Sequence, residues 1–328
     1  MMLSCASSCF SEFAKVTAQA RPFKTGQMAV GLAVNALQSL ALLGLMSAKW
    51  PATFEQTSSS LQIFVLDMDS LSLSCFVGGT SSISYVATAF VCPVLLSWVG
   101  LCYALSQLSC FRKCKSQPWK WPFALNTMGL GLQLGFGTIA AVSLKPMMCY
   151  KHPNGRYSVL SYPTIFCGED GHGLLLAFGI GLLTLFVLGF LVVCSYAVWN
   201  LPRWSVEGKH GKVQSFRFCT SNFRLDSYGF IIPLLCRGLG FAVSIVVGTN
   251  LPPVQTGLVS IVLVAYTVVQ ASLRPWKAPA INLADTVLSA SLLILASRSL
   301  QEDGDMEAKL GEHFTVIILM FRVFFGGK

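Results

Sequence analysis

The sequence predicts an all-α, polytopic transmembrane helical bundle of about seven spans plus a short C-terminal hydrophobic segment. Three observations support this fold class: an apolar composition, seven long apolar runs, and an alternation of basic and non-basic gaps between those runs. Hydrophobic residues make up 54% of the 328 residues and charged residues 11%, whereas a soluble domain carries about a quarter charged residues. So few charges cannot cover a water-facing surface, and we therefore expect the lipid bilayer to surround most of the chain.

Seven apolar runs reach or approach the roughly 20 residues that a helix needs to cross the hydrocarbon core of a bilayer. An eighth run, residues 314–325, is too short to cross as an ordinary helix and contains Arg322, so an interfacial segment and a re-entrant segment both stay open as interpretations. The seven predicted spans cover residues 28–48, 83–105, 121–142, 174–199, 228–247, 256–273 and 281–296.

Lysine and arginine residues cluster in alternate gaps. The segments before the first span and after the second, fourth and sixth spans are basic, whereas the others are poor in cations, mixed or acidic. Because basic loops stay on the cytoplasmic side, this pattern predicts a cytoplasmic N-terminus and an outer acidic segment after residue 298. The formal net charge of +9 is divided among these short clusters, so we expect no nucleic-acid partner.

Three regions follow from this topology. Residues 1–26 are rich in Ser and Ala with Glu12 as their one acid. A plain cytoplasmic extension, for which disorder is one interpretation, and the truncated start of a longer protein are both favoured over an organellar transit peptide. Residues 27–298 form the seven-span membrane domain. Residues 299–328 form an acidic linker followed by the short hydrophobic tail.

The third gap, residues 144–172, contains Cys149 and Cys167 on either side of a Pro-Asn-Gly turn pattern. Its cations fit either side of the membrane, but disulfides persist outside the cytoplasm, so we place this loop outside. We predict a small hairpin closed by a Cys149–Cys167 disulfide, which would stabilise the fold by about 3 kcal/mol in the chain-entropy model. Cys75 is a rival partner, and free thiols are a further alternative.

No catalytic constellation is present. The sequence contains no phosphate-binding glycine loop, no HExxH and no GxSxG pattern. His152 and His172 lie close to the two loop cysteines, but their spacing fits no zinc pattern. We therefore predict no enzyme activity, no metal site and no cofactor.

Arg237 lies within the fifth apolar run, where an unpaired cation costs about 2.5–3.5 kcal/mol on insertion scales. The only acid inside any predicted span is Asp285 in the seventh, and both spans enter the membrane from the same side. We predict an intramembrane Arg237–Asp285 ion pair with an added hydrogen bond from Asn282. This pair could fix helix packing or line a wet cavity; snorkelling of Arg237 to phosphates and pairing with Asp226 are the alternatives.

The fourth gap, residues 200–227, mixes cations with aromatic residues. This combination next to a span is typical of a segment that contacts anionic lipid head groups, although a plain topology marker with interfacial aromatics has the same composition. The predicted lipid-facing cations are Arg203, Lys209, Lys212, Arg217 and Arg224.

Several strings, taken in order over residues 30–295, resemble a known kind of membrane region. They are "VNALQSLALLG", "WPATF", "PNGRY", "SYPTIFC", "FRLDSYGFIIPLLCRGL" and "PPVQTGLVSIVLVAYTVVQASLRPWKAPAINLAD". The chain is similar to the multi-spanning C-terminal region of protist and algal surface proteins that carry cysteine-rich, EGF-like or ephrin-receptor-like repeats. More distantly, it resembles the membrane domain of the TRP-like channel family of fungi and protists.

The resemblance implies seven or more spans, a disulfide-bearing outer loop and a channel or sensor role in the plasma membrane or an endomembrane of a eukaryote. The sequence differs from the family pattern because residues 1–26 carry no cysteine-rich repeat. Three function classes therefore stay open: a TRP-like channel or channel-like sensor module, the membrane anchor of a cysteine-rich surface receptor, and an uncharacterised transporter. Homo-oligomerisation is a further expectation.

Overall fold

The computed structural model describes residues 23–46, 50, 52–62, 81–107, 119–169 and 171–298. The described chain is an all-α bundle with one small sheet, and seven of its helical stretches are long and apolar enough to cross a bilayer. The protein is therefore a multi-pass membrane protein. The first 22 residues, Cys75, the acidic linker and the run at residues 314–325 lie outside the described residues.

The helices follow the predicted spans but differ from them at their ends. The fourth span consists of α5, a π-helical segment at Leu183–Leu188 and α6, joined without a break, and it extends beyond the predicted end at residue 199. The first part of the predicted loop 200–227 is therefore helical. The helices are α1 (Phe23–Gly44), α2 (Ala52–Leu61), α3 (Ser81–Gln107), α4 (Trp121–Leu144), α5 (His172–Leu182), α6 (Gly189–Val206), α7 (His210–Ser215), α8 (Ile231–Val247), α9 (Pro252–Leu273) and α10 (Pro279–Arg298).

One end of the bundle, which we name the basic end, gathers the segments around α7, the start of α4 and the turn between α9 and α10. The Phe218 amide donates to Oδ1 of Asn126 in α4 across 2.8 Å. The Arg224 amide donates to the Pro275 carbonyl across 2.7 Å. These bonds place three gaps that the sequence predicted as basic at the same end, with Lys120, Arg203, Lys209, Lys212, Arg217, Arg224, Arg274 and Lys277.

The opposite end, which we name the sheet end, carries a three-stranded antiparallel sheet in the order β1 (Cys149–Lys151), β2 (Tyr157–Val159) and β3 (Tyr162–Phe166). The sequence predicted a hairpin here, and the structure adds β3 at the edge of the sheet. Pro163 lies in that strand, and an edge strand is where a sheet tolerates proline. The side chain of Asn250, in the turn between α8 and α9, donates to the Cys149 carbonyl across 3.2 Å.

The main apolar core lies between α1, α4, α8, α9 and α10. Leu43, Phe136, Phe241, Leu263 and Leu292 are each at most 2% exposed within it. By contrast, the α3 span is only 17% buried and the α5–α6 span only 22% buried inside the chain. Their outward residues are apolar, as expected for side chains that face lipid.

Candidate functional site

Arg237 and Asp285 face each other inside the bundle. Arg237, in α8, is 5% exposed, and Asp285, in α10, is fully buried. Arg237 Nη1 lies 3.6 Å from Asp285 Oδ1. The structure therefore brings together the two residues that the sequence paired, and it orders the guanidinium toward the carboxylate instead of toward the membrane surface.

Two aromatic side chains complete the surroundings of the Asp285 carboxylate. Tyr266, in α9, donates its hydroxyl to Oδ2 across 2.8 Å, and the Trp276 indole N–H donates to the same oxygen across 2.8 Å. The Arg237 guanidinium also covers the Tyr266 ring, 4.5 Å from its centroid, which is a favourable cation–π position. We name Arg237, Tyr266, Trp276 and Asp285 the charge cluster.

The sequence analysis missed Tyr266 and Trp276. The distance of Tyr266 from the end of its helix could have shown that it lies at the same depth in the membrane as the ion pair. Arg237 and Asp285 each lie six residues inside the basic-end terminus of their helix, and Tyr266 lies seven residues inside its own. At the helical rise these positions are roughly 9–11 Å deep. Trp276 lies in a turn, where helical spacing carries no such information.

The side chain of Asn282 is hydrogen-bonded to Trp276 and Ala278 instead of to the ion pair, which differs from the prediction. Its Oδ1 accepts the Trp276 amide across 3.0 Å, and its Nδ2 donates to the Trp276 carbonyl across 2.9 Å. An asparagine amide offers one acceptor and two donors, so the backbone N–H and the backbone carbonyl of one residue can be bound at once. Asn282 thereby fixes the backbone that aims the Trp276 indole at Asp285.

A second pair of polar contacts joins α9 to α10 beside the cluster. Gln270 Nε2 donates to the Asn282 carbonyl across 2.9 Å, and the Thr286 hydroxyl donates to Gln270 Oε1 across 2.7 Å. Gln270 is 1% exposed. Interhelical hydrogen bonds of this kind contribute about 0.6 kcal/mol each in membrane proteins.

The segment after α7 holds Trp276 from the other side. Phe223 forms an isolated antiparallel bridge with Trp276, and their ring centroids lie 5.0 Å apart. Lys277 donates its amide to the Asn222 carbonyl and its ammonium to the Ser221 carbonyl. The turn before α8 and the turn between α9 and α10 are thus joined to each other at Trp276, the residue that binds the buried carboxylate.

Asp226, the competing partner considered from the sequence, binds elsewhere. Its Oδ2 lies 2.9 Å from Arg224 Nη2, and both side chains are about half exposed. An exposed pair of this kind contributes at most about 1 kcal/mol. Arg237 is therefore left to Asp285, and the buried pair joins α8 to α10 with α9 between them.

At the sheet end, the disulfide joins Cys149 to Cys167 over a sequence separation of 18 residues. The loop is also bound through His172 at the start of α5. Nδ1 of His172 accepts the Gly168 amide across 3.2 Å, so its Nε2 carries the hydrogen that it donates to the Pro146 carbonyl across 3.0 Å. The imidazole thus connects the loop after β3 to the end of α4.

The potential metal ligands at the sheet end are engaged in other bonds. One ligand atom from each of Cys149, Cys167 and His172 lies within 4.8 Å of the others, but the two sulfurs are bonded to each other. His152 Nε2 lies 2.6 Å from the Ser158 hydroxyl. With the disulfide formed, these residues do not provide a set of free ligands for a metal ion.

Three of the five cations predicted to face lipid have acidic partners. Glu207 binds Arg203 at 2.8 Å and Lys209 at 2.7 Å, and Arg224 binds Asp226. Hydrogen bonds from Lys209 and Arg203 lower the pKa of Glu207 to about 2. The other two, Lys212 and Arg217, have no carboxylate partner within the part of the chain that the structure describes.

Comparison with known proteins gave no relative: no family model, no curated protein and no solved structure matches the chain.

Proposed function

We propose that the protein is a channel-like sensor module in which α8 and α9 couple the disulfide-closed sheet to the charge cluster. The observation that carries this proposal is that the α8–α9 hairpin is bound at both of its ends. At the sheet end, Asn250 binds the carbonyl of Cys149, one of the disulfide cysteines. At the basic end, the same two helices supply Arg237 and Tyr266.

The connection between these ends is stiff. Gln255 at the start of α9 is fully buried and donates to the Ile245 carbonyl of α8 across 2.6 Å. Gly240 lies close to the Val262 side chain further along the pair. Packed helices transmit a displacement because interiors have few voids to absorb it. A change at the sheet would therefore reach the turns that hold Trp276.

The basic end is cytoplasmic in this proposal, because it carries the gaps richest in Lys and Arg. The sheet end then faces the outside, where a disulfide persists. A passive anchor requires neither a covalently closed outer sheet nor a buried charge at the opposite end. The resemblance to TRP-like and surface-protein membrane regions supports the same role.

Hydrogen–deuterium exchange of the purified protein tests this coupling. We expect the Cys149→Ser/Cys167→Ser variant to exchange faster at residues 217–230 and 274–282, which lie at the opposite end of the bundle. A Cys102→Ser variant, altered in α3 and away from the sheet, serves as the control. Exchange that changes only within residues 144–172 would refute the coupling.

A channel assembled from several copies is the second candidate function. It is favoured by the π-helical segment at Leu183–Leu188, because such segments occur frequently at functional sites of helices. Leu185 of this segment and Pro93 of α3 line one open apolar groove on the outer face of the bundle. Conductance in planar bilayers, together with an oligomer in detergent, would support this candidate. Purified monomers without conductance would exclude it.

A further inference from the structure

Three tryptophans at the basic end mark a membrane–water boundary. Trp119 precedes Lys120 and Trp121 is the first residue of α4; their side chains are 43% and 50% exposed. Trp199 in α6 is 86% exposed. Tryptophan is enriched where its ring can reach the apolar region and its N–H can reach water. The start of α4 therefore lies at the level of the lipid head groups.

Lys120 lies between two of these tryptophans and is exposed. The segment that contains Lys212 and Arg217 packs against the first turns of α4. There the Phe218 ring lies against Gly129, and its amide binds Asn126. Lys212 extends over the Trp204 ring, 5.4 Å from its centroid.

Lys120, Lys212 and Arg217 differ in their charge balance from the three paired cations of residues 200–227. Within the described residues none of the three has a carboxylate partner, whereas Arg203, Lys209 and Arg224 are paired. The segments that carry these three cations meet near the start of α4. We name the three residues the basic patch.

We propose that the basic patch binds the head group of an anionic phospholipid in the bilayer that the spans cross. Phosphate is the chemistry that unpaired lysine and arginine side chains recognise. The bilayer is the source because the exposed rings of Trp119 and Trp121 place Lys120 at the level of the lipid head groups, where phospholipid phosphate is adjacent to it.

The test measures which lipids remain bound to the purified protein. The protein is incubated in mixed micelles of phosphatidylserine and phosphatidylcholine, re-purified, and its bound lipid is quantified by mass spectrometry. We expect phosphatidylserine to be retained preferentially and to be lost on raising the salt concentration. Each neutralised cation should reduce this preference about fivefold, and the Lys120→Gln/Lys212→Gln variant roughly thirtyfold.

The matched control is a Lys151→Gln/Arg156→Gln variant, which removes two cations from the sheet end. Equal loss of preference in both variants would overturn the proposal, as would no loss in the basic-patch variant. Inorganic pyrophosphate provides a second arm. If it stabilises the lipid-free protein against heat and this effect needs Lys120 and Lys212, the site takes a soluble anion and the lipid assignment is wrong. Single Lys120→Gln and Lys212→Gln variants keep the test valid if the double variant does not fold.

Discussion

Tyr266 donates its hydroxyl to Oδ2 of Asp285 across 2.8 Å, so that α9 supplies a hydrogen bond to a carboxylate on α10. Arg237 on α8 faces the other oxygen, Oδ1. Three neighbouring spans therefore meet at one buried carboxylate. A charge in this position is stable only with partners of this kind, because lipid offers none.

The first prediction concerns the ion pair itself. Asp285→Asn leaves the Arg237 cation buried without a counter-charge, and we expect a loss of about 3–5 kcal/mol in the free energy of unfolding. Arg237→Gln should cost less, because Tyr266 and Trp276 still donate to Asp285. Titration with a denaturing detergent in mixed micelles measures these values.

The double variant Arg237→Gln/Asp285→Asn should be more stable than Asp285→Asn alone, since neither charge remains. A double-mutant cycle gives the coupling energy of the two residues. If the two single losses add without a coupling of at least about 0.5 kcal/mol, the residues do not act as a pair.

The second prediction concerns the hydroxyl of Tyr266. Tyr266→Phe keeps the ring under Arg237 and removes one donor to Asp285, so we expect a loss of about 1–3 kcal/mol. Tyr196→Phe is the matched control because Tyr196 is 60% exposed on α6. The same detergent titration compares the two variants, and equal losses would contradict a specific role for the Tyr266 hydroxyl.

The third prediction concerns the disulfide. Non-reducing peptide mapping should recover one peptide pair joined through Cys149 and Cys167, with Cys75 bonded to neither of them. The Cys149→Ser/Cys167→Ser variant should lose about 3 kcal/mol of stability in the chain-entropy model. A Cys149–Cys75 or Cys167–Cys75 peptide would contradict the structure, and Cys102→Ser is the control for a cysteine change elsewhere.

The fourth prediction concerns the packing of the basic-end segment on α4. A Cβ at Gly129 would overlap the Phe218 ring, which is itself stacked on Phe190. We expect Gly129→Ala to cost about 1–3 kcal/mol through overpacking. At Gly131, two positions along the same helix, an added Cβ meets nothing within 4 Å, so Gly131→Ala should not lower the melting temperature, since alanine favours a helix over glycine. If both variants melt at the same temperature, Phe218 does not pack here as described.

The sequence predicted the spans and the pairing of the two charged residues because a large free energy of transfer into lipid governs each of them. An apolar run of the right length has few alternatives to crossing the membrane, and a cation within it needs a partner. The placement of Trp276 depends instead on two turns that meet in space. Its position follows from two contacts. The Asn282 side chain binds the backbone of Trp276, and Phe223 forms an antiparallel bridge with Trp276.

Other differences arose from local chemistry that a gap-by-gap count of cations ignores. The count treated residues 200–227 as one basic surface, but Glu207 and Asp226 lie within it and form ion pairs with three of its five cations. Lys120 was counted only as a topology marker. Its exposure between two tryptophans became visible once the start of α4 was placed at the basic end.

The two ends of the bundle underlie this whole account, and single-cysteine labelling tests them most directly. Asn154, in the turn between β1 and β2, and His210, at the start of α7, are both exposed. We expect a membrane-impermeant maleimide to label Asn154→Cys in intact cells and His210→Cys only after permeabilisation, above the background of the unmodified chain. Labelling of both positions in intact cells would place the sheet end and the basic end on the same side of the membrane and would contradict the seven-span arrangement.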